Sequence, residues 1–349
     1  MKKNLLYLFL AFSSIVLSTA CKKSKNIEVV TYAGSGAIGA DNGNTGVASF
    51  SNLMGLAIDS AGNIYVADSR NNLIRKVSAD GTVTTFAGSG KQGSVDGKGS
   101  AASFFFPAAL AVNAHGIVYV ADTQNNLIRK ITPDGTVSTL AGRPTVLTKN
   151  NPGALERFDN PYGIAVDRLG NVFVADWDKD QIKEINPEGK VSLFAGTGER
   201  GLKDGPADSA SFYLPEGIAF DKTGNLYVAD TYNNRIRKIT PGGVVSTIAG
   251  KTRKGHANGK GENASFWHPD GIAVDNGGNV YVADVENNKV RKISPAGVVT
   301  DFAGTGLHGS ENGRADKASF FRPFGLAIDK SGNLFVADYQ NNVIRKISY

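Results

Sequence analysis

The sequence predicts an all-β fold, a closed six-bladed β-propeller, and three observations lead to that class. A Val-Ala-Asp triplet recurs at a constant spacing of 54 residues, and its aspartates are Asp68, Asp122, Asp176, Asp230, Asp284 and Asp338. Each unit contains four short apolar runs separated by turn residues, the pattern of a four-stranded antiparallel meander. Repeats of about 40 to 50 residues made of four strands are typical of propeller blades.

The first two strands of each unit are predicted to be buried on both faces. In residues 212–250, Pro215-Glu216-Gly217 interrupts the chain before the strand Ile218-Ala219-Phe220, and Leu226-Tyr227-Val228-Ala229 forms the second strand. Neither run alternates apolar and polar residues. This is the pattern of strands whose sheet is covered on both sides by neighbouring elements.

The third strand, Ile236-Arg237-Lys238-Ile239, alternates apolar and basic residues, which predicts an outer strand with one solvent-exposed face. The fourth strand runs from Val244 to Ala249, and the glycine-rich stretch from Gly250 to Trp267 crosses to the next blade. The third unit departs from this pattern, since it has Lys179-Asp180 in place of Asn-Asn and Lys183-Glu184 in place of Arg-Lys.

The ring is predicted to close through the N-terminal strand. The segment Val29–Gly34 matches the fourth strand of the repeat, and the sequence ends at a third strand that contains Ile347. The N-terminal strand therefore completes the last blade and removes two exposed sheet edges. This interpretation assigns residues 29–349 to the propeller.

Residues 1–20 are predicted to be a secretory signal peptide, because a basic start precedes an apolar run, Leu5–Leu17, that is too short to span a bilayer. Cys21 is the only cysteine, and Ser18-Thr19-Ala20 before it resembles a lipobox. The prediction is an exported protein of the cell envelope, periplasmic or on the outer surface, with a lipid on Cys21 and a tether over residues 21–28. Ordinary cleavage that leaves a free thiol is the alternative.

The repeated motifs resemble the NHL repeat. They read Pro-x-Gly-Ile-Ala-Val-Asp, then Gly-Asn-Val-Tyr-Val-Ala-Asp, then Asn-Asn-x-Ile-Arg-Lys-Ile, and the resemblance covers all six units. It implies a six-bladed propeller but leaves the function open. NHL propellers include RNA-binding and protein-binding modules, sensor domains of receptor kinases, peptide-amidating lyases, and more distant lyases and lactonases.

The basic balance of the chain, with a net charge of +6, raises the question of nucleic-acid binding. The basic residues recur at one repeated position, as in Arg75-Lys76 and Arg237-Lys238, and so form a ring instead of one patch. We predict that each of these arginines pairs with the aspartate that ends the neighbouring second strand, with the lysine in solvent. The sequence therefore predicts no nucleic-acid partner.

Metal and cofactor sites are not predicted. Of the four histidines, only His268 is expected near the end of the ring where ligands would enter, whereas a zinc enzyme needs about three converging ligands. Pairs such as Asp204-Gly205 and Asn258-Gly259 lack the several carboxylates of a calcium loop and are interpreted as turns.

Variable positions are predicted to cluster at one end of the ring, where the crossing loops meet the turns between second and third strands. We call this end the mouth. Its candidate ligand-binding residues are Tyr162, Trp177, Glu216, Tyr232, His268, Asp270, Arg322, Phe324 and Tyr339. Exposed aromatic rings beside polar groups suit a glycan, peptide or protein ligand, so a non-catalytic binding module is the leading prediction. An envelope lyase or hydrolase using Glu216, Asp270 and His268, and an assembly role through blade edges, are alternatives.

Overall fold

A computed structural model describes residues 27–142 and 157–349, and it consists of six antiparallel sheets. The predicted all-β six-bladed propeller is confirmed. The predictions on the signal peptide and on Cys21 concern residues outside the described ranges. Over the described ranges, no helix has the length and apolar character needed to cross a membrane.

Each blade is built from an inner, a second, a third and an outer strand in chain order. The inner strands span Leu53–Ile58, Pro107–Val112, Pro161–Val166, Ile218–Phe220, Pro269–Val274 and Pro323–Ile328. The second strands span Ile64–Asp68, Val118–Asp122, Val172–Asp176, Leu226–Asp230, Val280–Asp284 and Leu334–Asp338. The third strands span Leu73–Val77, Leu127–Ile131, Gln181–Ile185, Arg235–Ile239, Lys289–Ile293 and Val343–Ser348. The outer strands span Thr82–Ala87, Thr136–Gly142, Val191–Ala195, Val244–Gly250, Val298–Ala303 and Glu28–Ala33.

The expected count of four strands per blade needs one correction. In five blades a two-residue strand from the crossing loop pairs with the outer strand, which makes five-stranded sheets. These short strands are Gly43–Asn44, Gly97–Lys98, Gly205–Pro206, Gly259–Lys260 and Gly313–Arg314. They cover the outer edge of each sheet, which would otherwise present unpaired backbone groups. The third blade has four strands within the described residues.

Short 3-10 helices connect the second and third strands of every blade. They span Ser69–Asn71, Thr123–Asn125, Trp177–Lys179, Thr231–Asn233, Val285–Asn287 and Tyr339–Asn341, and two more occur in crossing loops at Gly99–Ala101 and Gly261–Asn263. Each connecting helix is followed by a left-handed residue, such as Asn234 with a φ of 52°. Asparagine tolerates this conformation better than most residues, which explains the second Asn of the repeated Asn-Asn pair.

The N-terminal strand closes the ring as predicted. Glu28–Ala33 pairs antiparallel with Val343–Ser348, with Val29 opposite Ile347. The last sheet is therefore assembled from both ends of the described chain. The closed ring leaves no blade with an unpaired third strand among the described residues.

The hydrophobic core lies between blades. One apolar cluster combines Phe50 and Val66 of the first blade with Ala337 and Ile344 of the last, and the other blade interfaces are built in the same way. The second strands are fully buried, as expected from their unbroken apolar runs. Both faces of the sheets are therefore buried because neighbouring blades cover them.

The repeated arginines pair with the aspartates at the ends of the second strands, as predicted. In the fourth blade, Arg237 Nη1 lies 2.6 Å from Asp230 Oδ2, and both side chains are fully buried. The expectation of a solvent-exposed face on the third strand is wrong at this position, because the crossing loop folds over the arginine. Arg237 Nη2 donates to the carbonyl oxygen of Lys203 and to Asp204 Oδ1, at 3.0 and 2.6 Å.

Candidate functional site

The mouth is shaped by glycines that let neighbouring inner strands approach closely. A Cβ atom on Gly163 would lie 1.9 Å from the carbonyl oxygen of Glu216, and one on Gly217 would lie 2.2 Å from that of Asp270. No side chain fits at such distances, so these positions require glycine. The residue before this position in each blade therefore points its side chain toward the axis of the ring. By blade, these residues are Met54, Ala108, Tyr162, Glu216, Asp270 and Phe324.

One half of this inner ring is apolar. Met54, Ala108 and Phe324 are buried and belong to one hydrophobic cluster, against which Tyr162 packs. The hydroxyl of Tyr162 lies 3.8 Å from the sulfur of Met54, two blades away. The small side chain of Ala108 between them leaves room for this contact. A cavity of about 60 Å³ remains at the axis, lined by this half and by Asp270.

The other half of the inner ring is a pair of buried acids, Glu216 and Asp270, which we call the mouth pair. Their exposed fractions are only 3% and 6%. Among the described residues, no lysine or arginine lies within ion-pair distance of either carboxyl; the nearest candidate is His268 Nδ1, 3.8 Å from Glu216 Oε2. Burial raises the pKa of Asp270 to about 7. Burial, and then the neighbouring Asp270, raises the pKa of Glu216 well above its usual value. Two carboxyl groups this close share a proton at neutral pH.

His268 and Arg322 share a repeat position that the sequence analysis did not connect. Both have left-handed backbones, with φ of 57° and 53°, directly before their inner strands. The backbone N–H of His268 donates to Asn234 Oδ1 of the preceding blade, at 3.0 Å, and this bond fixes the position. Asn52 and Asn160 occupy the same place in other blades, with the same backbone. Phe106 and Leu214 occupy it in the remaining two blades, also with a left-handed backbone, so the fold imposes this conformation whichever residue is present.

An aromatic row runs from the axis toward the rim beside the mouth pair. The ring centroid of Trp177 lies 6.5 Å from that of Tyr162 and 6.4 Å from that of Tyr232. Tyr232 in turn lies 5.3 Å from the ring of His268. The exposed fraction of Tyr232 is 43%, so the row begins in the interior and ends in solvent. A ligand that reaches the mouth pair would therefore contact aromatic side chains.

Arg322 is paired with another acid of the mouth, and its charge also lowers the pKa of Glu216. Its Nη2 lies 2.6 Å from Glu286 Oε1, and its guanidinium lies over the ring of Phe324 at 5.8 Å. Phe324 packs against Tyr339 with ring centroids 4.8 Å apart. Burial lowers the pKa of His268, and the nearby Arg322 also lowers it while Glu286 opposes this. His268 is therefore neutral at neutral pH.

All the candidate ligand-binding residues predicted from the sequence lie at this one end of the ring. The repeat places Glu286, the ion-pair partner of Arg322, at the mouth, but the predicted ligand-binding set did not include it. The sequence analysis did not identify Tyr213, whose ring lies 5.2 Å from that of Tyr232. It also missed Trp267, which is 39% exposed on the rim. A signal existed for Tyr213 and Trp267, because they share a repeat position with Phe105 and Phe321.

Four buried polar atoms at the mouth have no hydrogen-bond partner among the described residues: Trp177 Nε1, Glu216 Oε2, His268 Nδ1 and Arg322 Nε. These groups lie next to one another without good hydrogen-bond geometry: the Trp177 side chain acts on Glu216 as a donor that lowers its pKa, and His268 Nδ1 lies 3.8 Å from Glu216 Oε2. Buried polar groups are normally paired, so a cluster of unpaired ones at a surface opening indicates groups that a ligand or water satisfies. No three histidine, cysteine, aspartate or glutamate side chains converge as a metal site over the described ranges.

A wider cavity, of about 690 Å³, opens at the opposite end of the ring and was not predicted. It is lined by the hairpin turns of four consecutive blades. Its acids are occupied within their own turns: Asp221, for example, accepts hydrogen bonds from the backbone N–H groups of Thr223 and Asn225 and from the side chain of Asn225. The polar groups of this end serve the turns, in contrast to the unpaired groups of the mouth.

The fold and the mouth define a β-propeller with a polar, aromatic opening at one end of its axis. Family comparison agrees. The model for the SMP-30/Gluconolactonase/LRE-like region matches residues 102–194 and 211–307, and the NHL repeat model matches residues 50–77. The first of these covers more than half of the chain. The chain therefore belongs to the NHL-repeat propellers of this SMP-30/gluconolactonase-like family.

Curated relatives agree with this family. The chain is 32% identical over 313 residues to the chloroplastic protein SUPPRESSOR OF QUENCHING 1 of Arabidopsis thaliana, covering 84% of this chain and 30% of that protein. It is 30% identical over 330 residues to NHL repeat-containing protein 2 of Bos taurus, covering 83% of this chain and 45% of that protein. The chain thus spans less than half the length of these relatives.

Solved structures of the same fold include both binding proteins and enzymes. An auxiliary nutrient binding protein from Bacteroides thetaiotaomicron superposes with a TM-score of 0.72 at 17% identity, over 93% of this chain and 76% of that one. A gluconolactonase from Xanthomonas campestris gives 0.57 at 16% identity, over 86% of each chain. Virginiamycin B lyase from Staphylococcus aureus gives 0.52 at 16% identity, over 93% and 99%. At these identities the likeness concerns the fold alone.

Proposed function

We propose that this protein is a binding module of the cell envelope and that its ligand, a glycan or a peptide, binds at the mouth. The observation that carries the proposal is the cluster of unpaired buried polar atoms beside the aromatic row. Such a site offers ring faces for stacking and polar atoms for orientation, which is how proteins hold small polar ligands. The nutrient-binding propeller of similar fold is consistent with this role.

The test is a binding screen with glycan and peptide arrays, followed by substitutions at the mouth. Trp177→Ala and Asp270→Ala should each weaken binding of the ligand found by at least about tenfold, equivalent to about 1.4 kcal/mol. Truncation of a buried aromatic at an interface commonly has an effect of this size or larger.

Lys76→Ala and Lys238→Ala are the matched controls, because both lysines lie on third strands, far from the mouth. Binding by these variants should equal that of the unmodified protein. The proposal is wrong if the lysine variants lose binding while the mouth variants keep it, since the site would then lie on the flank of the ring.

A second candidate function, acid–base catalysis of lactone or glycoside chemistry, is favoured by one specific observation. The mouth pair holds two acids with raised pKa values, and His268 lies 3.8 Å from Glu216. Groups whose pKa values are displaced by burial and by each other occur often in active sites. The test is turnover of sugar lactones, with Glu216→Gln as the inactive variant, together with metal analysis of the purified protein. Stoichiometric zinc or calcium would favour the enzyme.

The proposal includes a lipid anchor on Cys21, supported by the signal-like segment and the lipobox-like sequence before this cysteine. Cys21→Ala should move the protein from the detergent phase to the aqueous phase, or leave it unprocessed, because acyl chains supply the membrane affinity. Unchanged membrane fractionation of the variant would contradict the anchor. It would leave the binding proposal intact.

A further inference from the structure

We propose that the mouth recognises an organic ammonium group, held between the carboxyl groups of Glu216 and Asp270 and the faces of Tyr162, Trp177 and Tyr232. This inference rests on the proposed binding function and specifies the charge of the ligand. Ammonium groups occur in amino sugars, in peptides with a free amine and in quaternary ammonium compounds, and the experiment below separates these sources.

Neither carboxyl group of the mouth pair has a lysine or arginine partner in the described chain. Buried carboxylates are ordinarily paired with a cation, because removing a charge from water is costly. Elsewhere in the described chain this holds: each fully buried aspartate at the end of a second strand has an arginine or lysine at 2.6 to 3.0 Å. Glu216 and Asp270 are nearly as buried, yet no lysine or arginine of the described residues lies within 4 Å of either carboxyl.

Of the cationic side chains nearby, Arg322 lowers the pKa of Glu216 through its charge but forms no ion pair with either carboxyl group of the mouth pair. Arg322 is held by Glu286 at 2.6 Å and packs over Phe324. His268 is close to Glu216, but the distance of 3.8 Å exceeds that of a normal hydrogen bond. Burial has the largest effect on the pKa of His268 and lowers it, while Glu286 raises it and Arg322 lowers it. A proton shared by the two carboxyl groups leaves one negative charge on the pair, and a bound cation from outside the protein would match that charge.

The side chains of Tyr162, Trp177 and Tyr232 lie near Glu216. Burial and then the charge of Glu216 raise the pKa values of Tyr162 and Tyr232, and the Trp177 side chain acts on Glu216 as a hydrogen-bond donor. Glu216 Oε2 has no hydrogen-bond partner among the described residues, although the residue is only 3% exposed. The face of an aromatic ring attracts cations, and the attraction is strongest where water is excluded. A carboxylate with an unpaired oxygen beside several rings is therefore suited to an ammonium group and unsuited to an anion.

A small cavity lies beside the mouth pair. The cavity at the axis, of about 60 Å³, has Asp270 and the Tyr162 ring on its wall and otherwise apolar side chains such as Met54 and Phe324. This space holds a few water-sized groups. A small substituent on the ammonium nitrogen fits this volume, whereas a large one has to extend outward along the aromatic row.

The experiment compares ligands of equal shape and different charge on the unmodified full-length protein. Calorimetry would measure choline against 3,3-dimethyl-1-butanol, glucosamine against glucose, and dialanine against N-acetyl-dialanine. We expect the ammonium member of at least one pair to bind about tenfold tighter or more, a factor that corresponds to about 1.4 kcal/mol. The pair that shows the preference identifies the source of the ammonium group.

Two substitutions test whether the mouth pair causes the preference for the charged ligand. Glu216→Gln removes one negative charge with little change of shape, and it should abolish the preference for the charged member. Glu262→Gln is the matched control, because it removes the same charge from a side chain that is 73% exposed and paired with Arg235 at 3.4 Å. This control should bind as the unmodified protein does.

Two results would overturn the ammonium proposal: equal affinity for charged and neutral members in all pairs, or no binding of any probe. The proposed function has a separate test. If the arrays yield a neutral ligand whose binding needs Trp177, the mouth is a binding site and only the inference about charge is wrong. If binding is insensitive to Trp177, both proposals are wrong.

Discussion

Carboxyl groups are buried in two regions of the molecule, the repeated framework of the blades, which we call the frame, and the mouth. Their negative charges are compensated differently in the two regions. The frame aspartates, the six that end the second strands, are fully buried, and so nearly are the two acids of the mouth pair. In the fourth blade, Asp230 accepts hydrogen bonds from the backbone N–H of Tyr213, from Asn233 and from Arg237. Glu216, fourteen residues before it in the sequence, has an oxygen without any partner in the described chain.

The comparison shows that burial alone does not define a functional group. Burial raises the pKa of Asp230 to about 6 even though Arg237 and the hydrogen bonds lower it, so this aspartate is ionised at neutral pH. Burial raises the pKa of Asp270 to about 7, and Glu216 titrates well above its usual range. The frame thus holds fixed charges that are matched internally. The mouth pair holds a proton that a bound ligand can replace.

The largest effect on stability is expected when the arginine that pairs with a frame aspartate is removed. Arg237→Met would leave Asp230 buried without its cation, and breaking a buried ion pair in this way typically costs about 3–5 kcal/mol. Urea unfolding should show this loss as a lower midpoint. An unchanged midpoint would mean that Asn233 and the backbone N–H compensate Asp230 without the arginine. The comparison between frame and mouth would then fail.

An opposite effect is expected when the charge of the mouth pair is removed. The folded-state pKa values of Glu216 and Asp270 lie above those of the unfolded chain, so between about pH 4 and pH 7 the folded protein keeps a proton that the unfolded chain has already lost. Stability therefore falls as the pH rises through this window, by up to about 1.4 kcal/mol per pH unit for each proton. The double variant Glu216→Gln, Asp270→Asn should lack this contribution.

The measurement is the free energy of unfolding of both proteins from pH 4 to pH 8. The variant should gain stability relative to the unmodified protein as the pH rises, and the two curves should run parallel above the pKa of the pair. The frame aspartates are present in both proteins, so their contribution cancels in the difference. A difference that does not change with pH would show that folding does not raise the pKa values of the mouth pair.

A smaller effect is expected at the left-handed position before the inner strand. His268→Asn places the residue found at the equivalent positions Asn52 and Asn160 into the same backbone conformation. The left-handed conformation costs most residues about 1–2 kcal/mol, and asparagine tolerates it better, so we expect a gain of about 0.5–1 kcal/mol in stability. Ligand binding should weaken at the same time.

The reciprocal change, Asn52→His, serves as the control for this position. It should lower the melting temperature by an amount similar to the gain from His268→Asn, without an effect on binding. A loss of stability in His268→Asn would indicate that histidine contributes packing against Tyr232 that outweighs its backbone conformation.

The smallest effects are expected for the lysines of the third strands. Lys76 lies over the ring of Tyr65, with its Nζ 5.7 Å from the ring centroid, and Lys238 occupies the equivalent place in the fourth blade. Substitution of either by alanine should change the free energy of unfolding by less than about 0.5 kcal/mol, as is usual for surface positions. A loss comparable to that of Arg237→Met would show that the frame extends to these residues.

Most of the frame could be predicted from the sequence. The 54-residue period gave the number of blades, the apolar runs gave the strands, and the match of Val29–Gly34 to an outer strand gave the closure that the pairing with Val343–Ser348 confirms. The pairing of Arg237 with Asp230 was also predicted. Its burial was not, because the crossing loop that covers the arginine has no apolar signature and its role depends on backbone carbonyl groups.

The repeated sequence by itself determined the fold and the end of the ring at which variable residues meet, because a fixed register converts position in the repeat into position in space. Only the tertiary structure decided the chemistry of that end. Whether Glu216 and Asp270 carry charge depends on the cations and hydrogen-bond donors within a few ångströms, and those come from other blades. Distances between blades are set by packing, which a sequence period does not record.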